Sequence, residues 1–178
     1  MKPKMKHGVT AVLAIAVLAF TPWSNAKGNS DPDVVSQVDF DRYSGLWYEI
    51  AHDSNFFQRG CKRSTAEYAV LDETRVSVLN TCYKYDGTFR DIKGVATVVD
   101  PATPAKLKVR FNIFSRGDYW ITHLDQNYQW AVVSGPAKKS LFILARQAPM
   151  DKGLLDAILA QLNQEGYDTS DLIYDDYR

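Results

Sequence analysis

Tyr43-Ser44-Gly45-Leu46-Trp47-Tyr48-Glu49-Ile50-Ala51 is a turn that runs directly into a strand. Gly45 supplies backbone freedom at the turn, and Trp47, Tyr48 and Ile50 favour an extended, packed conformation. A Trp just inside a first strand is a large apolar plug, suited to closing one end of a barrel. Gly-x-Trp is a weak signal by itself in a chain with 4 Trp, so its meaning depends on what surrounds it.

Downstream, the chain alternates. Ala66, Tyr68 and Val70 oppose Thr65, Glu67 and Ala69; after a turn at Asp72-Glu73-Thr74, Val76, Val78 and Asn80 oppose Ser77, Leu79 and Thr81. Asp86-Gly87 is a hairpin signal, and the next strand, Phe89 to Val99, carries Gly94 as an expected bend or bulge before Pro101 and Pro104 break it. Leu107, Val109, Phe111 and Ile113 alternate with Lys106, Lys108, Arg110 and Asn112, which predicts one apolar and one solvated face. Gly117-Asp118, Asp125-Gln126-Asn127 and Gly135-Pro136 then separate strands at 119–124, 128–134 and 140–146. Short links make successive strands antiparallel neighbours. The fold class is therefore all-β, an eight-stranded up-and-down barrel or a sandwich. An eight-stranded barrel has room for one small ligand.

Outside the strands, Val38 to Tyr43 predicts a short helical turn capped by Asp39. After Pro149 the period changes: Leu154, Leu155, Ile158, Leu159 and Leu162 recur at helical spacing until Gly166, predicting a helix at about 150–166 docked outside the sheet. Leu172-Ile173-Tyr174 reads as a short edge strand.

Upstream, Lys2, Lys4 and Lys6 precede an apolar run from Val9 to Phe20, then small residues at Ser24 and Ala26. That is the pattern of a secretory signal peptide over 1–26. Residues 27–37 read as a flexible lead-in and 38–178 as one domain. Removing the first 26 residues leaves 152 of 178, with 18 basic and 21 acidic side chains, net −3. This balance provides no electrostatic footprint for nucleic acid. The 2 cysteines, Cys61 and Cys82, favour one disulfide in an exported chain over a metal pair or a catalytic thiol. With no Cys after the apolar run, the expectation is a soluble periplasmic or secreted protein without a lipid anchor and without a stable membrane span.

The chain resembles a lipocalin, and specifically the bacterial, outer-membrane-lipocalin-like branch. Three segments carry the resemblance: Gly45-x-Trp47 at the first strand, Leu124-Asp125-x-x-Tyr128 between the sixth and seventh, and Ile143-Leu144-Ala145-Arg146 closing the eighth. It implies the barrel rather than the sandwich, and a structural task for Gly45, Trp47 and Arg146, with the guanidinium lying across the indole. It also implies a carrier or store of fatty acids, lysophospholipids or similar amphiphiles, with a role in membrane maintenance.

Carrying inward parity through the strands, the expected lining is Ala66, Tyr68, Val76, Val78, Leu107, Val109, Phe111, Tyr119, Ile121, Ala131, Val133, Phe142 and Leu144. Tyr68, Asn80 and Tyr119 are the candidates for hydrogen bonds to a polar head. Phe56 and Phe57, adjacent aromatics in the polar segment 53–60, are expected at the cavity mouth, with Arg59, Lys62 and Arg63 as rim cations. No nucleophile elbow, phosphate loop or His-x-x-x-His pair occurs, so neither catalysis nor a metal or other cofactor is expected. Glu49 and Glu67 read as solvated. The expected partner is a small hydrophobic ligand, with transient membrane contact and a monomeric or weakly dimeric state. The competing readings are a haem or pigment carrier and a lipid-modifying enzyme on the same barrel.

Overall fold

The computed structural model describes residues 30–113 and 115–177; the expected signal peptide lies outside them. Eight antiparallel strands succeed one another: β1 (Gly45–His52), β2 (Cys61–Asp72), β3 (Arg75–Lys84), β4 (Phe89–Val98), β5 (Lys106–Arg110), β6 (Arg116–Leu124), β7 (Trp130–Ser134) and β8 (Phe142–Ala145). They close into a barrel because β1 pairs with both β8 and β2. A short helix α1 (Phe40–Tyr43) precedes the barrel, helix α2 (Lys152–Gln164) follows it, and β9 (Ile173–Tyr174) pairs with β1. Up-and-down order puts the segments 53–60, 85–88, 111–115 and 135–141 at one end, the mouth. The turns 73–74, 99–105 and 125–129 lie at the other, the floor.

The floor is closed by the three segments singled out above. Trp47 is fully buried, and its indole Nε1 donates to the Tyr43 carbonyl at 2.7 Å. Gly45 has φ of +92°, a left-handed conformation that favours glycine, and it passes close beneath Arg146 Nη1, which a Cβ there would meet at 3.4 Å. Asp39 caps α1 by accepting from Arg42 N–H at 3.1 Å. Asp125 accepts from the N–H groups of Asn127 and Gln129, and the Tyr128 hydroxyl accepts from Asp39 N–H. The Asp-x-x-Tyr turn thereby anchors α1 across the barrel end.

Two apolar layers result. The inner one includes Trp47, Leu107, Ile121 and Val133; the outer one packs Ile158 and Leu162 of α2 against Ile50, Val132 and Ile143. Alternation along β7 and β8 separates the layers. Two irregularities in register, between Glu49 and Ala51 and between Ile121 and His123, switch the facing of the residues beyond them.

Several sequence expectations are corrected. β5 ends at Arg110, where the chain turns: Phe111 N–H donates to Ser115 O, and Asn112 Oδ1 accepts from Ser115 N–H. Phe111 is consequently half-buried, Ile113 is 79% exposed, and Gly117-Asp118 lies within β6. Gly94 makes no bulge, since register from β3 runs through it unbroken. Its missing Cβ leaves room for the Arg110 carbonyl and the Phe111 ring, each of which a Cβ would approach to 2.8 Å. Residues 30–37 carry no regular element, yet Pro32 is buried, Val34 and Val35 pack against the inner core, and Val35 N–H donates to Ile121 O.

Candidate functional site

Above the filled floor the barrel holds a cavity of about 910 Å³. Of the expected lining, Tyr68, Val78, Asn80, Val109, Phe111, Tyr119, Phe142 and Leu144 face it. Ala66, Val76, Leu107, Ile121, Ala131 and Val133 are instead buried in the packed floor, where the Trp47 and Tyr43 rings, 4.8 Å apart, fill the lower barrel. Parity identified the correct face but not the depth at which packing gives way to space.

At the boundary, three hydroxyls form a chain. Tyr43 Oη lies 2.7 Å from Tyr119 Oη, which donates to Tyr68 Oη at 2.9 Å. Burial raises all three phenols above their usual range, so they stay protonated. Tyr43 from α1, Tyr68 from β2 and Tyr119 from β6 thus tie three separated elements together beneath the cavity.

The β1–β3 wall is polar. Glu49, expected to be solvated, is 4% exposed, faces the cavity and accepts from the side-chain amide of Gln58. Burial, reinforced by the charge of Asp175, pushes its pKa from 4.5 up to about 7, with His52 and Gln58 pulling the other way. Ser64 and Asn80 line the same wall. Glu67 is exposed, as expected.

Beside Glu49, β1 and β2 are seamed by the carboxy-terminal tail. Asp175 N–H donates to Ile50 O, Asp176 N–H donates to Lys62 O, and Tyr177 Oη lies 2.8 Å from the carbonyls of Glu49 and Ser64. The Asp175 carboxylate accepts from Ser64 N–H and sits 3.5 Å from His52 Nε2. Burial lowers the His52 pKa, but the Asp175 and Asp53 hydrogen bonds and the charges of Glu49 and Asp175 outweigh it and hold it above the ordinary value. His123 lies outside the barrel, against Glu165 of the α2 terminus at 3.0 Å.

At the mouth, Phe56–Gln58 forms a single 3-10 turn capped by Asn55. Phe57 lines the cavity; Phe56 does not and is 73% exposed, with Arg59 stacked on its ring. The expected rim cations are displaced: Arg63 stacks on Tyr83 and Lys62 pairs with Asp176, both away from the cavity. Arg90, Arg116 and Lys139 line it instead, among the acidic Asp53, Asp91, Asp118 and Asp171. Arg90 donates to the Phe57 carbonyl and holds the loop to β4. The disulfide Cys61–Cys82 secures the other side of that loop, and there is no free cysteine among the described residues. No group of three or more His, Cys, Asp and Glu residues arranged to hold a metal occurs among them either.

A family model described as a Lipocalin-like domain matches residues 38–176. The chain belongs to the lipocalin family. Outer membrane lipoprotein Blc of Vibrio cholerae serotype O1 is 37% identical over 142 residues, covering 79% of this chain and 83% of its own. The protein of the same name from Escherichia coli K12 is 36% identical over 173 residues, covering 97% and 94%. Among solved structures, lobster apocrustacyanin A1 superposes with a TM-score of 0.62 at 18% identity, covering 81% of this lipocalin and 88% of that chain. At that identity the likeness speaks for the fold alone.

These relatives correct one expectation. The absence of an acceptor Cys had argued for an unanchored, soluble lipocalin, but relatives at this level of identity are named outer membrane lipoproteins, which points to a lipid-anchored form. A missing acceptor addresses one chemistry of attachment and does not decide membrane association. Among the described residues, no helix is long and apolar enough to cross a membrane.

Proposed function

We propose that this lipocalin binds and carries a membrane-derived amphiphile of the fatty acid or lysophospholipid class, its acyl chain in the barrel and its head at the mouth. The carrying observation is the cavity of about 910 Å³, a size suited to a single small ligand. Val109 and Phe111 on one side of the barrel and Phe142 and Leu144 on β8 supply apolar lining, while Arg90, Arg116 and Lys139 stand near the opening to meet an acidic or phosphate group. Each methylene moved from water to such a wall contributes about 0.8 kcal/mol. The bacterial relatives are named outer membrane lipoproteins, which puts those proteins at a membrane, where such amphiphiles are found.

Exposed Phe56, Tyr85, Phe89 and Ile113 all stand at the mouth end, and they support loading of the ligand during transient contact with a membrane surface. A binding role is favoured over a thiol enzyme because both cysteines are spent in the disulfide. Native mass spectrometry of the exported protein, followed by organic extraction, tests the reading. A near-stoichiometric acylated lipid is the expected result. An empty protein that also fails to take up long-chain lipids would sink it, and an absorbance band of a bound tetrapyrrole would replace it with the pigment reading.

A further inference from the structure

The polar wall of the cavity contains two buried atoms with no partner: Ser64 Oγ and Asn80 Oδ1. Ser64 is 3% exposed, and both residues line the cavity. In register, Ser64 faces Cys82 and Ala66 faces Asn80 across the β2–β3 ladder. Ser64 and Asn80 therefore point inward from adjacent strands, offset diagonally by one inward position. Glu49 belongs to the same patch, because its carbonyl and that of Ser64 both lie 2.8 Å from Tyr177 Oη. Buried polar atoms are normally hydrogen-bonded, so adjacent orphans facing an open cavity mark where a ligand supplies the missing partner.

The chemistry of the patch limits what that partner is. An Asn carbonyl oxygen accepts only, a Ser hydroxyl gives and accepts, and the Glu49 carboxyl already receives a hydrogen bond from Gln58. A carboxylate set here would leave Asn80 Oδ1 unpartnered and place a second acid beside a buried one. A hydroxyl or amide both donates and accepts, and it brings no charge. Across the barrel, Val109 of β5 and the following Phe111 give apolar lining that takes the chain, and Leu144, the cross-strand partner of Glu49, continues it beside the patch.

Resting on the carrier reading above, we propose that Glu49, Ser64 and Asn80 form a subsite for a neutral, hydrogen-bond-donating group of the amphiphile, such as a glycerol hydroxyl, and that a carboxylate is not bound at this place. The subsite selects among lipids of equal chain length by the group next to the chain.

Calorimetric titration below micelle-forming concentrations tests this with three probes sharing one chain: monolaurin, which donates; methyl laurate, which is neutral without a donor; and laurate, an anion. Heads differ in their own hydration, so the readout is the change on substitution. Asn80→Leu should weaken monolaurin about fivefold to tenfold, the scale of one hydrogen bond, and leave methyl laurate unchanged, and Ser64→Ala should weaken monolaurin more than methyl laurate, whose ester carbonyl only accepts. Glu49→Gln should tighten laurate at pH 8 without weakening monolaurin comparably. Melting curves of each variant identify loss of fold, and Ser64→Ala, the smallest change, serves if Asn80→Leu is unstable. Equal losses for monolaurin and methyl laurate, or none for either, would overturn the subsite while leaving the carrier reading intact. Failure of the unsubstituted protein to bind any of the three would remove both.

Discussion

The Arg146 guanidinium carbon lies 3.9 Å from the centroid of the Trp47 indole, and the same guanidinium donates to the carbonyls of Leu46, Arg42, Tyr43 and Ser44. One side chain at the end of β8 thereby covers the plug of β1 and collects the exposed carbonyls of the α1–β1 turn. The contact is both stacked and hydrogen-bonded, and Arg is suited to it because its plane and fork of donors act together.

Arg146→Lys keeps the charge and loses the plane. We expect a loss of about 2–3 kcal/mol, combining the stacking and part of the charged hydrogen bonding. For a domain of this size that lowers the melting temperature by roughly 5–10 °C. An unchanged melting temperature would count against the closure described here.

Tyr119 links Tyr43 and Tyr68, so Tyr119→Phe strands two buried hydroxyls at once. The expected cost is about 1–3 kcal/mol. Tyr43→Phe removes one end of the chain and should cost less in the same denaturant titration. Equal effects from the two substitutions would show that the central position carries no special weight.

Stability should fall as pH rises through neutrality. Glu49 is raised in the folded state from 4.5 to about 7, so above the lower value the folded protein holds a proton that the unfolded chain releases. His52, also raised, contributes stability that is present below its ordinary value and lost as pH passes its folded one. Both act in the same direction, with Asp175 and Asp53 as the facing acceptors. Melting temperature should decline between about pH 5 and pH 8, and Glu49→Gln should flatten the decline. A rise over that window would contradict the burial of Glu49.

The Cys61–Cys82 bridge closes a sequence separation of 21 residues. In the loop-entropy account, replacing both cysteines by Ser should cost about 3 kcal/mol. Because the bridge also borders the mouth loop, hydrogen exchange over 53–60 should quicken in the variant. Exchange that quickens only in the strands would detach the bridge from the loop.

Much of the barrel was legible because its signals are local. Asp86-Gly87 makes a hairpin between any two strands, and the alternation of Val76, Val78 and Asn80 survives into the structure as inward facing. The helix at 152–164 announced itself by spacing alone. Phe111 and Ile113 misled because their alternation continued past the point where Asn112 turned the chain. Arg59 and Lys62 were sensible rim cations by proximity to the loop. The residues that reached the rim were Arg90 and Arg116, placed there by the tops of β4 and β6.

The order of strands, the floor motifs and the two-faced helix were determined by the sequence itself, because periodicity and turn chemistry act between near neighbours. The burial of Glu49, the depth at which the cavity opens, and the seam made by Asp175 and Tyr177 were decided only by the tertiary structure. Each depends on segments far apart in the chain, 76 residues between Tyr43 and Tyr119 and 128 between Glu49 and Tyr177, where packing sets which side chains fill space and which are left facing it.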